Sequence, residues 1–235
     1  MLHHTAYLAA DEVHVWILDL DKLAKDEHLL SQDEQKRADC FMKLDDQRRY
    51  RAAHTFVRRI LGRYLNASPL SLVFGASATG KPFLRAPGPP HRVAFNLSHT
   101  AQYGILAVTR DREVGVDIEI ERNVEDLADM ARQVMSSSEF EHFQSKGVQF
   151  ARQAFFGLWT RKEALLKAIG TGLSTDPRDI NIGLGTRETA INFGGTTWSV
   201  ASLEVPLPLW AAVAVSGQLP VVRMLHSESF DQSKF

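Results

Sequence analysis

Residues 157–173 constrain the fold of this chain more than any other segment. They have the periodicity of an amphipathic helix. Gly170 and Gly172 can supply the left-handed backbone that ends a helix. Glu163 and Lys167 are four residues apart, which makes them neighbours on the helix surface. Such a pair can be a plain surface ion pair, or it can hold a metal ion and a phosphate.

A second constraint is the strand-like segment Val114–Ile120. Apolar residues alternate there with acidic ones, so Asp117 and Glu119 project from the same side of the strand. Two carboxylates on one side repel each other, and a divalent cation offsets that repulsion. Mg²⁺ prefers a few carboxylates with water and phosphate oxygens, and Glu163 would bring the carboxylate ligands to three. No Cys/His cluster in the sequence suggests zinc.

The composition favours an ordinary globular protein. The chain has 235 residues, 44% of them hydrophobic, which is enough for one large or two small cores. A formal net charge of −1 gives no global field that points to nucleic acid or to a membrane. One cysteine excludes a disulfide framework. Without a signal-peptide pattern or a long apolar run, we expect a cytoplasmic protein.

Local patterns predict that the chain runs twice from helices into strands. The predicted helices span 31–65 and most of 123–168, and capping boxes are predicted at Ser31 with Glu34 and at Ser136 with Glu139. The predicted strands are 13–18, 72–74, 93–97, 103–109, 114–120, 189–193, 197–205 and 209–215.

The remaining segments are predicted to be irregular. Residues 98–100 are predicted to form the turn between two strands, and the proline-rich segment 86–90 a loop. The last twenty residues are polar and weakly patterned, so we expect a mobile tail.

Two further segments carry groups suited to phosphate. Residues 75–82 read G-x-x-x-x-G-K followed by proline, but Pro82 has no hydroxyl for Mg²⁺ and the prolines that follow cannot open a helix. We therefore reject a nucleotide-hydrolysing P-loop. The hydroxyl of Ser98 and the imidazole of His99 can both donate to phosphate oxygens, and a phosphate nearby would raise the pKa of His99.

Together these segments resemble the 4′-phosphopantetheinyl transferases of the surfactin-synthetase-activating type. The family's (V/I)-G-(V/I)-D-(I/V)-E motif matches residues 114–119, and its W-x-x-K-E-A-x-x-K motif matches residues 159–167. Two more blocks match in the same order, Gly-Lys-Pro at 80–82 and Phe-Asn-Leu-Ser-His-Thr at 95–100. The resemblance covers roughly residues 30–215, and four ordered blocks make it specific.

The resemblance implies an α+β fold of two similar halves, related by a pseudo-twofold axis, with the active site in the cleft between them. The N-terminal half, residues 1–110, would contact the nucleotide of coenzyme A. The C-terminal half, residues 111–220, would carry the metal site and the catalytic helix. Residues 221–235 are left outside both halves as the mobile tail that their polar, weakly patterned composition predicts. One chain supplies both halves, so we expect an active monomer.

The implied reaction moves the phosphopantetheine arm of coenzyme A to a serine of an apo acyl or peptidyl carrier protein, and releases adenosine 3′,5′-bisphosphate. Asp117, Glu119 and Glu163 would hold Mg²⁺ across the coenzyme's pyrophosphate. Glu163 would also take the proton of the serine hydroxyl, although a metal-bound water or hydroxide oriented by Glu163 is an open alternative. Lys167 would neutralise the α-phosphate or the leaving group.

The resemblance also implies a set of coenzyme contacts. Arg37 and Arg49 would bind the 3′-phosphate, although Glu34 stands where the family often has a basic residue. Lys162 lies about 100° around the helix from Glu163 and can point elsewhere, and Trp159 is expected to pack beneath the site. The expected coenzyme-binding residues are Arg37, Arg49, Lys81, Pro82, Ser98, His99, Asp117, Lys162 and Lys167.

Two other functions stay open on the sequence. One is a non-catalytic module that binds coenzyme A or a carrier protein, against which the intact acidic and basic set argues. The other is a Mg²⁺-dependent pyrophosphate hydrolase, against which the absence of an R-E-x-x-E-E helix argues. The carrier surface is expected within 120–155, where Val134, Met135, Phe140 and Phe143 are interpreted mainly as core.

Overall fold

The computed structural model describes residues 8–23, 26–85 and 92–230. The loop predicted at 86–90 lies outside these ranges. The first half contains β1 (Glu12–Asp19), α1 (Gln32–Asp39), α2 (Leu44–Leu65), β2 (Phe74–Ala76), β3 (Pro82–Leu84), β4 (Val93–Thr100) and β5 (Tyr103–Arg110). The second contains β6 (Val114–Ile120), α3 (Leu127–Val134), α4 (Ser137–Gln144), α5 (Val148–Ile169), β7 (Glu188–Phe193), β8 (Thr196–Leu203) and β9 (Leu209–Ser216), and β10 (Val221–His226) follows it.

Both halves follow the same plan. One four-stranded sheet has the order β10-β1-β5-β4 and the other the order β6-β9-β8-β7. In each half the first strand pairs antiparallel with the last, and the last pairs antiparallel with the one before it. A 22-residue helix, α2 or α5, separates the first strand from the others. The prediction of an α+β fold with two similar halves is therefore confirmed.

The core has three layers of apolar side chains. Phe56 and Ile60 of α2 pack against the first sheet, and Phe155 and Leu165 of α5 pack against the second. The opposite faces of the sheets pack on each other through fully buried side chains: Val15, Ile105, Val116 and Val213. Alternate residues of a strand point to opposite faces, so each sheet contributes to two layers. In the described ranges no helix is both long and apolar enough to cross a membrane.

The local predictions are confirmed in part. Both capping boxes are present, at Ser31 with Glu34 and at Ser136 with Glu139. The helix predicted over 31–65 is wrong in one respect, because it breaks after residue 39 and resumes at residue 44 as α2. The strand predicted at 72–74 begins only at Phe74, since a short 3-10 turn, Pro69–Ser71, precedes it.

The turn predicted at 98–100 is also wrong. Strand β4 continues to Thr100, which pairs with Tyr103, so the turn consists of Ala101 and Gln102. Ala101 has a left-handed backbone with φ 47°, as a tight hairpin requires. Ser98 and His99 therefore lie within the ladder between β4 and β5, opposite Ile105 and Gly104.

The mobile tail expected at 221–235 is contradicted by the structure as far as residue 230. Residues 221–226 form β10, which pairs parallel with β1 at the edge of the first sheet. Phe230 is buried against Trp16 and Phe56. The end of the chain thus completes the sheet and core of the first half, and residues 231–235 lie outside the described ranges.

Candidate active site

Three elements bring Ser98, Asp117 and Lys167 into one hydrogen-bonded group. Ser98 lies near the end of β4, Asp117 lies in the middle of β6, and Lys167 lies in the last turn of α5. The Lys167 Nζ donates to Asp117 Oδ1 at 2.6 Å and to Ser98 Oγ at 2.9 Å. Ser98 Oγ donates to the same carboxylate oxygen at 2.8 Å. The group connects the two halves, because β4 belongs to the first and β6 and α5 to the second.

Gly115 is what allows β6 and α5 to come this close. A Cβ atom at Gly115 would lie 2.1 Å from the carbonyl oxygen of Ala164 and 2.3 Å from the nitrogen of Ala168. Both are backbone atoms that cannot turn aside, so the position accepts only glycine. This close packing places Asp117, two residues along the strand, within reach of Lys167.

The two strands at the junction are also tied directly. The side-chain oxygen of Asn96 on β4 accepts a hydrogen bond of 2.9 Å from the backbone nitrogen of Val116 on β6. Asn96 is buried, and the bond satisfies a backbone donor at the edge of the second sheet. Asn96 therefore fixes the strands that carry Ser98 and Asp117 relative to each other.

The three acidic residues carry charge that the protein does not fully compensate. Asp117 is 3% exposed, and its Oδ2 atom is buried without a hydrogen-bond partner. Burial raises the pKa of Glu119, and the charge of Asp117 adds to that rise. Burial also raises the pKa of Glu163, where Lys167 opposes the rise and the charges of Asp117 and Glu119 support it. The three carboxyl groups therefore interact and favour a positive partner.

A divalent cation fits this chemistry, although its ligands are not assembled beforehand. In the part of the chain that the structure describes, no three His, Cys, Asp or Glu side chains are grouped closely enough to hold a metal ion. The unpartnered Asp117 Oδ2 and the mutual repulsion of the carboxyl groups are nevertheless what an oxygen-binding cation relieves. Glu119 and Glu163 have to approach Asp117 to share such an ion.

A cleft with a volume of about 770 Å³ opens beside the acidic residues. One side is α5, which presents Trp159, Glu163, Leu166 and Lys167. The opposite sides are the hairpin residues 79–82 and the segment 174–178. This volume is in the range that holds a small-molecule ligand.

The hairpin between β2 and β3 is fixed to the end of α5. Lys81 Nζ donates to the carbonyl of Ala168 at 2.8 Å and to Glu113 Oε2 at 3.1 Å. Burial lowers the pKa of Lys81, while Glu113 opposes that shift. Residues 75–82 form a hairpin that leads into a strand, so the rejection of a P-loop is confirmed. Lys81 and Pro82 line the cleft, but the Lys81 ammonium already has protein partners.

His99 lies at the exposed end of β4. Desolvation lowers the pKa of His99, and the positive charge of Lys167 lowers it further, with a smaller contribution from His54. The predicted rise of this pKa beside a phosphate therefore stays a prediction. An anion bound between Lys167 and a protonated His99 would reduce the repulsion between these two cations, so the position favours an anion.

The two arginines expected at the 3′-phosphate are outside the lining of this cleft. Arg37 is exposed on α1, and Arg49 on α2 donates twice to the carboxylate of Asp21, each at 2.9 Å. Glu34 accepts from Arg58 Nε at 2.8 Å and lies 3.2 Å from His54 Nδ1, and these contacts hold its pKa at about 2. Glu34 is thus an ionised structural residue of the first half.

The structure contradicts the expected coenzyme contact of Lys162. Its side chain is 1% exposed, and its Nζ lies 2.6 Å from Glu139 Oε2. The same ammonium donates to the carbonyls of Val134, Pro177 and Ile180, each at 2.8 Å. All its donors are used inside the protein, so Lys162 does not face the cleft.

The structure also adds residues that the sequence did not indicate. Gln133 and the segment 174–178 line the cleft, and only the Asp176-Pro177 pair had a sequence signal, that of a turn. Trp159 stacks on Phe155 with ring centroids 6.5 Å apart and packs against the core while it lines the cleft. Met135 and Phe143 are buried, as the core interpretation of 120–155 requires.

The fold and this site define an enzyme. Two matched halves enclose a cleft that Glu163 and Lys167 line, and Lys167 connects this cleft to the buried Asp117 and Ser98 behind it, a set suited to a substrate that carries phosphate.

Comparison with known proteins identifies the class. A family model described as "4′-phosphopantetheinyl transferase superfamily" matches residues 113–206, and one described as "4′-phosphopantetheinyl transferase, N-terminal" matches residues 15–111. The 4′-phosphopantetheinyl transferase HetI of Nostoc sp. is 35% identical over 228 residues, which are 92% of this chain and 96% of that protein. The chain belongs to the 4′-phosphopantetheinyl transferase superfamily and is a transferase of this class.

Other relatives are more distant. The 4′-phosphopantetheinyl transferase AcpT of Salmonella typhimurium is 30% identical over 166 residues, covering 71% of this chain and 70% of that protein. The 4′-phosphopantetheinyl transferase of Bacillus subtilis is 29% identical over 142 residues, covering 60% and 61%. A solved holo-[acyl-carrier-protein] synthase of Thermotoga maritima, with 20% identity and a TM-score of 0.30 over 45% of this chain and 63% of that one, is too distant to bear on the details.

Proposed function

We propose that this transferase moves the phosphopantetheine arm of coenzyme A to a serine hydroxyl of an acyl or peptidyl carrier protein, in a Mg²⁺-dependent reaction. The products are the holo carrier protein and adenosine 3′,5′-bisphosphate. The single observation that carries the proposal is the Ser98–Asp117–Lys167 group at the cleft, in which one buried carboxylate oxygen has no partner. The Lys167 ammonium can bind a diphosphate, and the unpartnered Asp117 Oδ2 can bind the cation that accompanies the diphosphate.

The proposed chemistry is an in-line displacement at phosphorus. The serine oxygen of the carrier forms a bond to the β-phosphorus, which bears pantetheine. The bond from that phosphorus to the bridging oxygen breaks, and the electron pair leaves with the α-phosphate. Bound Mg²⁺, for which Asp117, Glu119 and Glu163 are the proposed ligands, supplies neutralisation of the diphosphate charge.

Glu163 is the proposed acceptor of the serine proton. Burial raises its pKa, so its carboxylate is a better base than that of an exposed glutamate. It also lines the cleft, where an incoming hydroxyl can reach it. The site can hold the transferred proton on Glu163, because a protonated Glu163 no longer repels Asp117 and Glu119.

Lys167, Ser98 and His99 are proposed to bind the phosphates. The Lys167 ammonium is anchored by Asp117 and Ser98, so its position is fixed before a substrate arrives. An anchored cation stabilises charge that develops on the leaving phosphate without first having to be ordered. His99, at the exposed end of the same strand as Ser98, extends the phosphate contacts toward α2.

An assay with purified components tests the proposal. The chain is incubated with coenzyme A, Mg²⁺ and a panel of apo carrier proteins, and each carrier is weighed by mass spectrometry. We expect at least one carrier to gain the phosphopantetheine mass, and no gain with a carrier whose acceptor serine is alanine. Chelation of Mg²⁺ by EDTA should stop the transfer, and added Mg²⁺ should restore it.

Other outcomes would point elsewhere. Cleavage of coenzyme A without a gain in carrier mass would indicate a hydrolase, and intact coenzyme with every carrier would indicate a binding module. Undiminished transfer in EDTA would refute the metal requirement alone.

A further inference from the structure

Two adjacent cations of α5 are buried more deeply than almost any other side chain of comparable size. Arg161 is 2% exposed and Lys162 is 1% exposed. Arg161 bonds to residues 182, 183 and 189, and Lys162 to residues 134, 139, 177 and 180. Charged residues are rarely buried to this degree unless they are paired. The Lys162 ammonium has a partner for every donor, whereas the Arg161 Nε is buried without one.

Lys162 and Glu139 join four parts of the second half. The Lys162 Nζ lies 2.6 Å from Glu139 Oε2, and the carbonyls of Val134, Pro177 and Ile180 complete its coordination at 2.8 Å. Glu139 accepts from the backbone nitrogen of Ile182 at 2.9 Å and from that of Ser136 at 2.9 Å. The pair therefore connects α5, the end of α3, the start of α4 and the segment that follows the cleft.

The same pair supports a wall of the cleft. Residues 174–178 line the cleft opposite the hairpin, and the last two of them begin the 3-10 turn Pro177–Asp179. Lys162 bonds to the carbonyl of Pro177 within this wall and to that of Ile180 just after it. The next residue toward the catalytic end of α5 is Glu163, so one helical turn carries both the support and the proposed base.

We propose that Lys162 and Glu139 are positioning residues of the transfer reaction, which hold the 174–178 wall at a fixed distance from Glu163 and Lys167 and thereby set the affinity for coenzyme A. This inference rests on the proposed function of the cleft. Neither side chain touches the substrate. A buried pair with every hydrogen bond satisfied holds one arrangement, whereas removal of one partner leaves the other charge uncompensated.

Arg161 provides a matched control on the same helix. Its guanidinium donates to the carbonyls of Ile182 and Gly183 and to the hydroxyl of Thr189, none of which lines the cleft. It is as buried as Lys162, so its replacement disturbs packing to a similar degree. It differs in that it does not bond to the cleft wall.

Kinetics of Lys162→Met and Arg161→Met separate a positioning role from a general loss of structure. For Lys162→Met we expect the KM for coenzyme A to rise about tenfold, the effect usual for residues that orient a site from outside it, with kcat within about threefold of the unaltered chain. Arg161→Met should leave this KM within about twofold. Equal rises of KM in both variants, or a loss of kcat at unchanged KM in Lys162→Met, would overturn the proposal.

Hydrogen exchange of the ligand-free chain tests the same point without any activity. In Lys162→Met the amides of 174–182 should exchange faster, while those of 163–167 keep their rates. Glu139→Gln, which keeps an acceptor for Ile182 but removes the charge, should show the same pattern more weakly and serves if Lys162→Met does not fold. Unchanged exchange at 174–182 in a folded variant would refute the positioning role.

The two proposals fail separately. An unaltered chain that transfers nothing refutes the proposed function, and the exchange experiment then decides alone whether Lys162 and Glu139 hold the wall. Transfer with normal kinetics in a folded Lys162→Met variant refutes the positioning role and leaves the proposed function intact.

Discussion

The acidic residues at the centre of this site differ in their hydrogen-bond partners and in the shifts of their pKa values. One oxygen of Asp117 bonds to Lys167 and Ser98, and its other oxygen is buried without a partner. Glu119 and Glu163 have raised pKa values because burial removes water from them and their neighbours are acidic. The repulsion among these carboxyl groups therefore lowers the stability of the ligand-free chain, and a bound cation would offset it.

Glu163→Gln tests the proposed base. Glutamine keeps the size of the side chain but cannot accept the serine proton, so transfer should fall about 10²- to 10⁴-fold. The rate of carrier modification measures the loss, and circular dichroism confirms the fold. Glu188→Gln, at an exposed position of β7, is the matched control and should transfer normally. Near-normal transfer in Glu163→Gln would remove this residue from the chemistry.

Glu119→Gln tests the cost of the repelling charges through pH. Because the folded pKa of Glu119 lies above its ordinary value of 4.5, this carboxyl contributes stability below pH 4.5 and loses that contribution as the pH rises through the raised pKa. The variant should therefore melt higher than the unaltered chain at pH 7.5, by on the order of 2 °C, with the gain disappearing near pH 4. Differential scanning calorimetry at both pH values measures this, and a variant that melts lower at pH 7.5 would contradict it.

The sequence placed the acidic residues correctly where local geometry was sufficient. Alternation along β6 put Asp117 and Glu119 on one side, and the four-residue spacing put Glu163 beside Lys167, a relation that the shared pKa effects reflect. Lys162 could not be placed in this way. Its direction depends on Glu139 and on carbonyls up to 28 residues away in the sequence, and only the folded chain brings these together.

At the level of elements, the packing of α5 on β6 determines the geometry of the site. Gly115 has no side chain, so the helix backbone rests directly on the strand at Ala164 and Ala168. Asp117 and Lys167 approach each other only because of this contact. The sequence shows a glycine in a strand, but the partner that requires it is distant in the chain.

Gly115→Ala should separate the strand from the helix. The added methyl would lie within 2.3 Å of two backbone atoms, so we expect a loss of at least about 3 kcal/mol in the free energy of unfolding together with loss of transfer. Urea denaturation and the carrier assay measure the two effects. Gly157→Ala is the control, because its methyl would meet only the ring of Trp210 at 3.2 Å. A Gly115→Ala variant of unaltered stability and activity would refute the role of this contact.

Elements with strong local signals were predicted well, and those fixed by distant pairing were not. The long helices and the central strands have clear periodicity, and both capping boxes were visible as Ser-x-x-Glu. Strand β10 was not predicted. It lies at the edge of its sheet, and its pairing is set by β1, which is more than 200 residues earlier in the chain. Parallel pairing of this kind leaves no trace in a short window of sequence.

At the scale of the whole molecule, the segment after β9 links the second half to the first. Strand β10 follows the second half but pairs with β1, and Phe230 inserts beside Trp16 and Phe56 in the core of the first half. The sheets also share an apolar layer. These connections indicate that the halves unfold together rather than one after the other.

Phe230→Ala tests this coupling. Removal of a buried ring should lower the free energy of unfolding by about 3–5 kcal/mol, in one transition that both tryptophan fluorescence and circular dichroism follow. Leu207→Ala, at a position 71% exposed, should change it by less than about 0.5 kcal/mol. Two separate transitions in the unaltered chain, with only one shifted by Phe230→Ala, would show that the halves are independent.

The position of β10 has a consequence for synthesis. Until residues 221–226 have left the ribosome, the nascent first half has only β1, β5 and β4 in its sheet, and the outer edge of β1 can pair with other extended chains. Folding that usually proceeds from the N-terminus must here wait until residues 221–226 have been synthesised. A chaperone that shields the unpaired edge of β1 during translation would therefore act at a stage when this enzyme is open to aggregation.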